Sequence, residues 1–584
     1  MNTNFGPRSH PHADDDSSAT SPTVAEDTPL LRSESSSLTA RDVSPAPDRR
    51  PLPVPEQPLG WKRATCIVLS MWALIFLQAS NMSGMTTTQS TIAADLDAYD
   101  EAMWFTSAYM IAISSVSPLA GRLAMVFSPA LMVSLSSVFF AVGALVTAIA
   151  PTSAVFIFGR VLLGVGSGGV MTLCMILVIQ LTSKKRRGLW IGLTNAGFTL
   201  GVSAGAVVFG ALLPVLGWRL LFGAQAPMAA LAGLGVILSI PPSTTDDDAK
   251  NQTTMQKLAG IDYAGAATLT ITIVLFLYGL SGTIHPIPII LSLLTLPLFL
   301  LIESRAKDPV VPLSVLRDRG VLLSCFAQLG FMAARWTVLF YAPVFVLAVR
   351  GLSPAVAGSV LIPTNLGFAL GGLVVGALHI RKAGSYWFAS LASLLLFGLA
   401  LFSMAFVSNA AASAGIYVAA VFVNGLCTGA ALNYTLTHLL HLSSPSLHFI
   451  VTSLLSTFRG FAGSFGTAIG GGVFARTLRD TLTTGFTRLD GGDGLGKARE
   501  KLITVLIGSP AMVWKEGVLS AAERQVAVFG YERALEALYK SAALVCVLVV
   551  LMQAGTGWAA PAGEKEDDDE IEQEVAEGDR AMEA

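Results

Sequence analysis

Three arginines stand inside long apolar runs of the sequence: Arg160, Arg335 and Arg459. A charged side chain within a membrane costs several kcal/mol unless it is paired or faces water, so such residues indicate function by default. A guanidinium keeps its charge at any cellular pH and must therefore meet water, an anion or a hydrogen-bond acceptor. The alternative is a structural role, in which the side chain reaches a nearby interface or donates hydrogen bonds between helices.

Polar residues that could assist these arginines are few. Asn81 interrupts the first apolar run and Asn424 the twelfth, and no acidic residue lies deep in any run. The nearest candidates for an outer proton site lie between the first two runs: Asp95, Asp97, Asp100 and Glu101. The alternative for these four is an ordinary solvated loop.

Motifs for other chemistry are missing from the sequence. It contains no G-x-S-x-G elbow, H-E-x-x-H pair or nucleotide-binding loop, so neither an enzyme nor an ATP-driven pump is expected. The five cysteines stand singly in apolar stretches, which indicates neither disulfides nor a metal site. We expect no cofactor, and any transport must use an ion or substrate gradient.

The composition identifies the elements that must position these residues. Of the 584 residues, 53% are apolar and only 13% are charged, with a mean hydropathy of +0.63. A water-soluble enzyme or a disordered scaffold is excluded, and a net charge of −2 argues against a nucleic-acid partner. Fourteen apolar runs, each close to the 20 or so residues that cross a bilayer, lie between residues 64 and 558. The sequence predicts an all-α membrane protein with fourteen transmembrane helices.

The placement of lysine and arginine predicts the orientation. Basic residues collect in alternate short loops, for example 184–187 and 381–382, which are therefore expected in the cytoplasm together with both termini. The predicted segments are a disordered N-terminal tail (1–60), a six-helix bundle (61–240), a linker with two spans (241–320), a second six-helix bundle (321–560) and an acidic C-terminal tail (561–584). The second bundle includes a long non-cytoplasmic loop at about 476–540.

A short pattern in the N-terminal tail has the form of an acidic dileucine sorting signal. It consists of Glu26 followed by Leu30 and Leu31. The pattern predicts a vacuole-like compartment, and a plain solvated tail is the alternative.

Glycines recur at steps near four in two of the runs, which lets another helix approach closely. The two sets are Gly197, Gly201 and Gly205 in the fifth run, and Gly463, Gly466 and Gly470 in the thirteenth. They indicate either tight static packing or a smooth contact on which two halves of the protein rock.

Several stretches together resemble the major facilitator superfamily, and in particular its fungal fourteen-span drug:proton antiporters. The likeness extends from about residue 61 to residue 558. Its most specific part is Trp-Phe-Thr-Ser-Ala-Tyr at 104–109, followed by Pro-Leu-Ala-Gly-Arg-Leu at 118–123. Arg160 with Gly164 and Gly166 resembles the fourth-span motif, whose arginine the family associates with proton coupling. The glycines of the fifth span with Trp218 and Arg219 resemble the antiporter motif.

The sequence departs from this family at three points. Asn81 stands nearest to the position where the family usually carries an aspartate, and Val202 replaces the proline of the antiporter motif. The signature loop lacks its aspartate and most of its bases. These departures place the identity of the proton-carrying carboxylate in question.

The resemblance implies the major facilitator fold: two six-helix bundles, formed by spans 1–6 and 9–14, with spans 7 and 8 inserted between them. Spans 1, 4, 9 and 12 would line the cavity with Asn81, Arg160, Arg335 and Asn424, for substrate binding and proton coupling. Spans 5 and 13, which carry the glycine sets, would lie at the contact between bundles. Alternating access would rock the bundles about a central site.

The resulting expectation is a secondary active transporter, a proton-coupled antiporter that exports small organic compounds and works as a monomer in a lipid bilayer. Its partners are a small-molecule substrate and protons, in the plasma or vacuolar membrane. One alternative is a vacuolar carrier for basic amino acids, which the sorting pattern favours but the lack of deep acids does not. Another is a non-transporting nutrient sensor on the same scaffold.

Overall fold

The computed structural model describes residues 61–181, 187–239, 262–280, 284–306, 313–376, 386–443, 448–491 and 496–558. Within these ranges the chain is helical and contains no strand, which confirms the all-α prediction. In the first half of the chain the helices are α1 (Trp61–Asp95), α2 (Trp104–Val126), α3 (Pro129–Ala148), α4 (Ser153–Leu181), α5 (Arg187–Gly223), α6 (Gln225–Ser239), α7 (Tyr263–Leu280) and α8 (Pro286–Arg305). Helix α5 is broken at Gly217, where φ is +69°.

The second half contains α9 (Arg319–Ala348), α10 (Pro354–Val374), α11 (Trp387–Val407), α12 (Ala414–Leu442), α13, α14 (Lys497–Gly508) and α15 (Ala521–Ala554). Helix α13 begins as His448–Phe465 and continues through a π-helical turn, Gly466–Gly470, into Gly471–Leu489.

Where the structure describes them, the fourteen apolar runs lie mainly on helices. Eleven helices of the described ranges are long and apolar enough to cross a membrane, so the chain is an integral, multi-pass membrane protein. The count of fourteen spans stays a prediction. Several helices begin at a residue whose side chain caps free backbone N–H groups. Asp318 accepts from the backbone N–H of Val321 at 3.0 Å, and Ser520 forms a capping box with Glu523.

The packing of helices repeats along the chain and defines two bundles. In the first bundle, α1–α6, the packed pairs are α3–α4, α1–α5, α2–α4, α3–α6 and α1–α6. In the second bundle, α9–α13 with α15, they are α11–α12, α9–α13, α10–α12, α11–α15 and α9–α15. Each pair of the first bundle thus has a counterpart in the second, so that α9 corresponds to α1 and α12 to α4.

Helices α7 and α8 form a hairpin outside this repeat. They pack mainly on each other, and α8 is largely exposed, as expected for a helix that faces lipid. Helix α7 also contacts α2 of the first bundle and the π-helical turn of the second. The hairpin therefore lies against both bundles.

The bundles meet along two seams, α5 with α10 and α2 with α13. At the first seam a Cβ on Gly358 would collide with the backbone of Ala206, and one on Gly210 would lie 2.5 Å from the carbonyl oxygen of Pro354. At the second, the hydroxyls of Ser114 and Ser464 share a hydrogen bond of 2.5 Å. The close backbone contact at the α5–α10 seam requires glycine, because a larger residue at Gly358 or Gly210 would separate the helices.

The glycine sets lie elsewhere than the expected bundle contact. Gly197, Gly201 and Gly205 pack on α1 of their own bundle, and Gly466 and Gly470 pack on α9 of theirs. Of the six, Gly463 alone touches the other bundle, where a Cβ would lie 3.1 Å from the sulfur of Met110. The physical reason is that α5 has two close contacts: its glycine face meets α1, and a different face meets α10.

The segment 476–540, expected as a loop, is largely helical. The end of α13, helix α14, a 3-10 turn (Pro510–Trp514) and the start of α15 fill most of it. Residues 497–514 are called the cap below. Arg499 of the cap pairs with Glu523 and donates to both oxygens of Asp490 at 2.9 Å. The hydrogen bonds from Arg499 lower the pKa of the Asp490 carboxyl.

The cap belongs to the second bundle but reaches the first. The Trp514 indole N–H donates to the carbonyl of Ala348 at 2.9 Å, which fixes the cap to α9. On the other side, Gly508 packs on the backbone of Tyr99, and the N–H of Ala511 donates to the hydroxyl of Ser90 at 3.4 Å. The cap thus bridges the bundles at the end where α1 finishes and α2 begins.

Candidate functional site: two buried arginine clusters and a cavity

Arg160 on α4 is completely buried in the first bundle. Its Nε donates to the carbonyl oxygen of Phe105 at 2.8 Å, and its Nη1 donates to the side-chain oxygen of Asn81. The guanidinium carbon also lies 4.3 Å from the centre of the Tyr109 ring, a cation–π contact. Its Nη2 has no hydrogen-bond partner in the described part of the chain. The charge is thus held by neutral groups and retains one unused donor.

The amide of Asn81 is oriented from both ends. Its oxygen accepts from Arg160, while its nitrogen donates to the side-chain oxygen of Gln225 on α6 at 2.8 Å. Tyr109, under the guanidinium, donates its hydroxyl to Ser167 of α4 at 2.8 Å. The cluster therefore joins α1, α2, α4 and α6 through a continuous set of polar contacts.

Arg335 on α9 forms the equivalent cluster in the second bundle. It is 3% exposed, and its Nη1 donates to the hydroxyl of Thr364 and to the side-chain oxygen of Asn424 at 3.2 Å. Its Nη2 donates to the side-chain oxygen of Asn365 at 3.3 Å. The side-chain nitrogen of Asn424 has no partner among the described residues. The four residues expected around one cavity thus form two separate pairs in the structure, Arg335 with Asn424 and Arg160 with Asn81.

The two clusters lie on corresponding helices of the internal repeat, but the helix that carries the arginine and the helix that carries the asparagine are exchanged. In the first bundle the arginine lies on α4 and its amide on α1. In the second bundle the arginine lies on α9, the counterpart of α1, and its amide lies on α12, the counterpart of α4. Each half therefore pairs one arginine with one asparagine across the same two helices, in opposite directions.

The second cluster also reaches the seam between bundles. Asn365, which accepts from Arg335, donates its amide nitrogen to the hydroxyl of Ser203 on α5 at 2.9 Å. Movement along the α5–α10 seam would therefore disturb a partner of the buried charge. Asn365 is one of several polar residues in the apolar runs, and its position in the sequence carries no signal for this link.

The other candidates lie apart from the arginine clusters. Arg459 is partly exposed on α13 and makes no hydrogen bond within the described ranges. Asp95 pairs with Arg219 and accepts from the indole N–H of Trp218 at 3.2 Å, which occupies its carboxylate. The remaining acids of that group are exposed: Asp97, Asp100 and Glu101. The sorting pattern, Glu26 with Leu30 and Leu31, lies outside the described residues.

Sequence reasoning missed one buried acid. Glu303 is 2% exposed near the end of α8, and its carboxylate approaches Gly265, as does that of Asp262. The apolar run of α8 ends at residue 302, so the pattern gave no signal that the next residue would be buried.

A cavity of about 550 Å³ lies beneath the cap. Its described lining does not include the four residues that the sequence predicted there: Asn81, Arg160, Arg335 and Asn424. Both bundles, the α7–α8 hairpin and the cap contribute to its wall, for example through Ser107, Tyr341, Tyr278 and Gly508. Cavities of this size accommodate drug-sized ligands. Ser107 of this wall is two residues along α2 from Phe105, whose carbonyl oxygen accepts from Arg160.

Comparison with known proteins assigns the family. The sequence profile described as the Major Facilitator Superfamily matches residues 71–467. The chain belongs to the Major Facilitator Superfamily. The prediction of a secondary transporter with the major facilitator fold is thereby confirmed, since this is a family of gradient-driven carriers.

Similar proteins include named efflux pumps and transporters. The chain is 25% identical to "Efflux pump FUS6" of Gibberella fujikuroi, over 74% of this chain and 80% of that protein. It is 26% identical to an acurin A biosynthesis cluster MFS-type transporter of Aspergillus aculeatus, over 79% and 86%. It is 23% identical to multidrug resistance protein 3 of Bacillus subtilis, over 83% and 92%.

Solved structures share the fold of this superfamily member. A bacterial homologue of the human lysosomal transporter Spinster, in an inward-facing and occupied conformation, matches with a TM-score of 0.59 at 13% identity, over 85% of this chain and 97% of that one. A D-xylose–proton symporter matches with a TM-score of 0.51 at 13% identity, over 79% and 99%. At such identities the likeness concerns the fold alone.

Proposed function

We propose that this transporter exports small organic compounds in exchange for protons. The observation that carries the proposal is the pair of buried arginines, one in each bundle, held by amides and hydroxyls instead of acids. Such neutral partners hold a guanidinium less tightly than a carboxylate would, so an acceptor group on a solute can compete for it. Efflux pumps and drug-resistance proteins among the relatives support the direction of transport.

The proposed mechanism uses the link from Arg335 through Asn365 to Ser203. Rocking of the bundles at the α5–α10 seam pulls Asn365 away from Ser203, and Arg335 then redistributes its hydrogen bonds among Thr364, Asn424 and solute. Arg160 does the same in the first bundle through its unused Nη2. Because Asn365 links the second cluster to α5 of the first bundle, occupation of that cluster biases the relative position of the bundles.

Proton exchange can be tested in vesicles that contain the purified transporter. We expect an imposed pH gradient to drive accumulation of a fluorescent drug, and a protonophore that collapses the gradient should abolish it. Accumulation that persists without any gradient would overturn the coupling. A control with Arg160→Ala protein separates carrier activity from leakage of the vesicles.

The alternative of a basic amino acid carrier rests on the sorting pattern around Leu30 and Leu31. The described core argues against it, since both clusters are cationic and no acidic side chain contacts them. A competition experiment distinguishes the two functions: excess lysine or arginine should leave transport of the fluorescent drug unchanged. We further propose that the transporter works as a monomer, with both termini in the cytoplasm of its cell.

A further inference from the structure

The cavity beneath the cap has an aromatic wall that neither arginine cluster accounts for. Trp104 at the start of α2 stacks on Tyr278 of α7 with ring centres 5.4 Å apart. Tyr278 stacks in turn on His285, next to α8, at 5.6 Å. The three rings form a continuous stack that begins in the first bundle and ends in the inserted hairpin. All three line the cavity.

A second aromatic pair faces the cavity from the other bundle. Tyr341 of α9 lies against Phe474 of α13 with ring centres 4.6 Å apart. Gly471 keeps the space beside this pair open, because a Cβ there would lie 3.1 Å from the Tyr341 hydroxyl. The cavity therefore has rings on two sides that belong to different bundles. A flat molecule between them would contact both sides.

The charged residues that line the cavity favour neither an anionic nor a cationic ligand. Two aspartates, Asp100 and Asp480, line it together with two arginines, Arg476 and Arg479, and their formal charges cancel. A ligand with a net charge would therefore gain no net electrostatic attraction from the lining, and it would lose its hydration on binding. Aromatic rings, in contrast, stack on one another with a gain beyond that of buried area. The volume of about 550 Å³ is sufficient for several fused rings.

We propose that this cavity is a binding site for planar, uncharged aromatic compounds, with Trp104 as the stacking surface and the α7–α8 hairpin as the side wall. The proposal rests on the transport function, since it names the class of compound transported. It also gives the inserted hairpin a role in substrate selection: Tyr278 and His285 complete a wall that the two bundles alone leave open.

Binding to the purified full-length protein in lipid nanodiscs tests the site without requiring transport. The probe is acridone, a neutral tricyclic compound that fluoresces, and the matched non-planar probe is 1-adamantanol, a compact apolar alcohol. We expect saturable binding of acridone that 1-adamantanol does not displace. Equal displacement by 1-adamantanol, or no saturable binding of acridone, would overturn the proposal.

Single-residue variants test whether acridone binds in this cavity. Trp104→Leu removes the stacking surface and should weaken acridone binding roughly three- to tenfold, the effect of one aromatic contact. Trp558→Leu is the matched control, because Trp558 follows the end of α15, is 64% exposed and does not line the cavity. Unchanged binding in Trp104→Leu would place acridone elsewhere and sink the assignment.

A second variant tests the site independently, in case Trp104→Leu does not fold. Ala475→Trp adds bulk to the cavity from α13 without removing a stacked ring, and it should abolish acridone binding while thermal stability stays within a few degrees of the parent protein. Unimpaired binding in this variant would contradict the proposal. Binding of acridone without its export from cells would leave the site standing and overturn the transport function instead.

Discussion

Arg160 and Asn81 are both fully buried, and they connect α4 to α1 through a hydrogen bond from a guanidinium to a neutral amide. The amide oxygen cannot take up the charge as a carboxylate would, and the amide nitrogen is already committed to Gln225. This leaves the arginine partly satisfied, with Nη2 unused within the described residues. A buried charge in that condition gains from any acceptor that enters its site.

Replacement of Arg160 tests this arrangement. We expect Arg160→Ala to abolish gradient-driven transport while the protein still reaches its membrane, and Arg160→Lys to retain only part of the activity, because lysine keeps the charge but loses the planar fork. Efflux per folded molecule measures both. Arg459→Ala serves as control, because Arg459 has no hydrogen bond in the described ranges and should transport normally. Full transport by Arg160→Ala would refute the coupling role.

Replacement of Arg335 by lysine should be nearly as damaging. The guanidinium reaches acceptors on both α10 and α12, and an ammonium on a single stem cannot hold all of them in the same geometry. Loss of a hydrogen bond to a charged group costs about 1.5–3 kcal/mol, which corresponds to roughly a tenfold to hundredfold lower transport rate if the contacts form in the transition state. Initial efflux rates provide the measurement. A rate within twofold of the parent protein would argue against this cluster.

Two glycines with different neighbours should respond differently to valine. Gly358→Val pushes α10 away from α5 at the bundle seam, so we expect normal protein abundance but little transport. Gly205→Val strikes the backbone of Ser80 inside the first bundle, so we expect loss of folded protein. Gly415→Val is the control, as no described atom lies within 4 Å of its Cβ position. Abundance by blotting and efflux per molecule distinguish the outcomes; equal defects in the first two variants would contradict the assignment of faces.

The orientation in the membrane can be read from two positions. Asp490→Cys, at the end of α13, should react with an impermeant thiol reagent added from the non-cytoplasmic side of intact cells. The acceptor Asn251 in the sequence Asn-Gln-Thr at 251–253 should carry no glycan, because its loop is predicted to be cytoplasmic. Labelling only after permeabilisation, or a glycan on Asn251, would reverse the orientation.

The sorting pattern makes a prediction about location. If Leu30 and Leu31 direct the protein to a vacuole, replacing both by alanine should move a fluorescently tagged chain to the plasma membrane. The matched control changes Ser35 and Ser36 to alanine in the same tail. An unaltered distribution of the dileucine variant would reduce the pattern to coincidence.

The sequence permits prediction of the helices and of the buried arginines, for physical reasons. Runs of about 20 apolar residues seldom occur outside membrane-spanning helices, and Arg160 inside such a run needs partners that neighbouring helices must supply. The direction of the glycine faces was not predictable. A spacing of four places Gly197, Gly201 and Gly205 on one side of α5, but it does not say whether α1 or α10 lies there. Glu303 was missed because an acid that follows an apolar run resembles an ordinary helix end.

The link from Asn365 to Ser203 was also beyond sequence reasoning. It joins residues more than 160 positions apart in different bundles, and neither side chain is unusual in its own helix. Only the packing of α5 on α10 brings them together. The aromatic stack was not predictable for a similar reason. Trp104 of the first bundle and Tyr278 of the inserted hairpin meet only because α7 packs on α2.

The position of α7 has a consequence for the direction in which the two bundles can separate. Helix α7 touches α2 and the π-helical turn of α13, so it lies along the α2–α13 seam. The other seam is formed by α5 and α10. Because α7 packs on both bundles along one seam, it restrains their separation there more than at the other seam. We therefore expect the conformational cycle of this transporter to be asymmetric, with larger displacements on the α5–α10 side than on the side that carries α7.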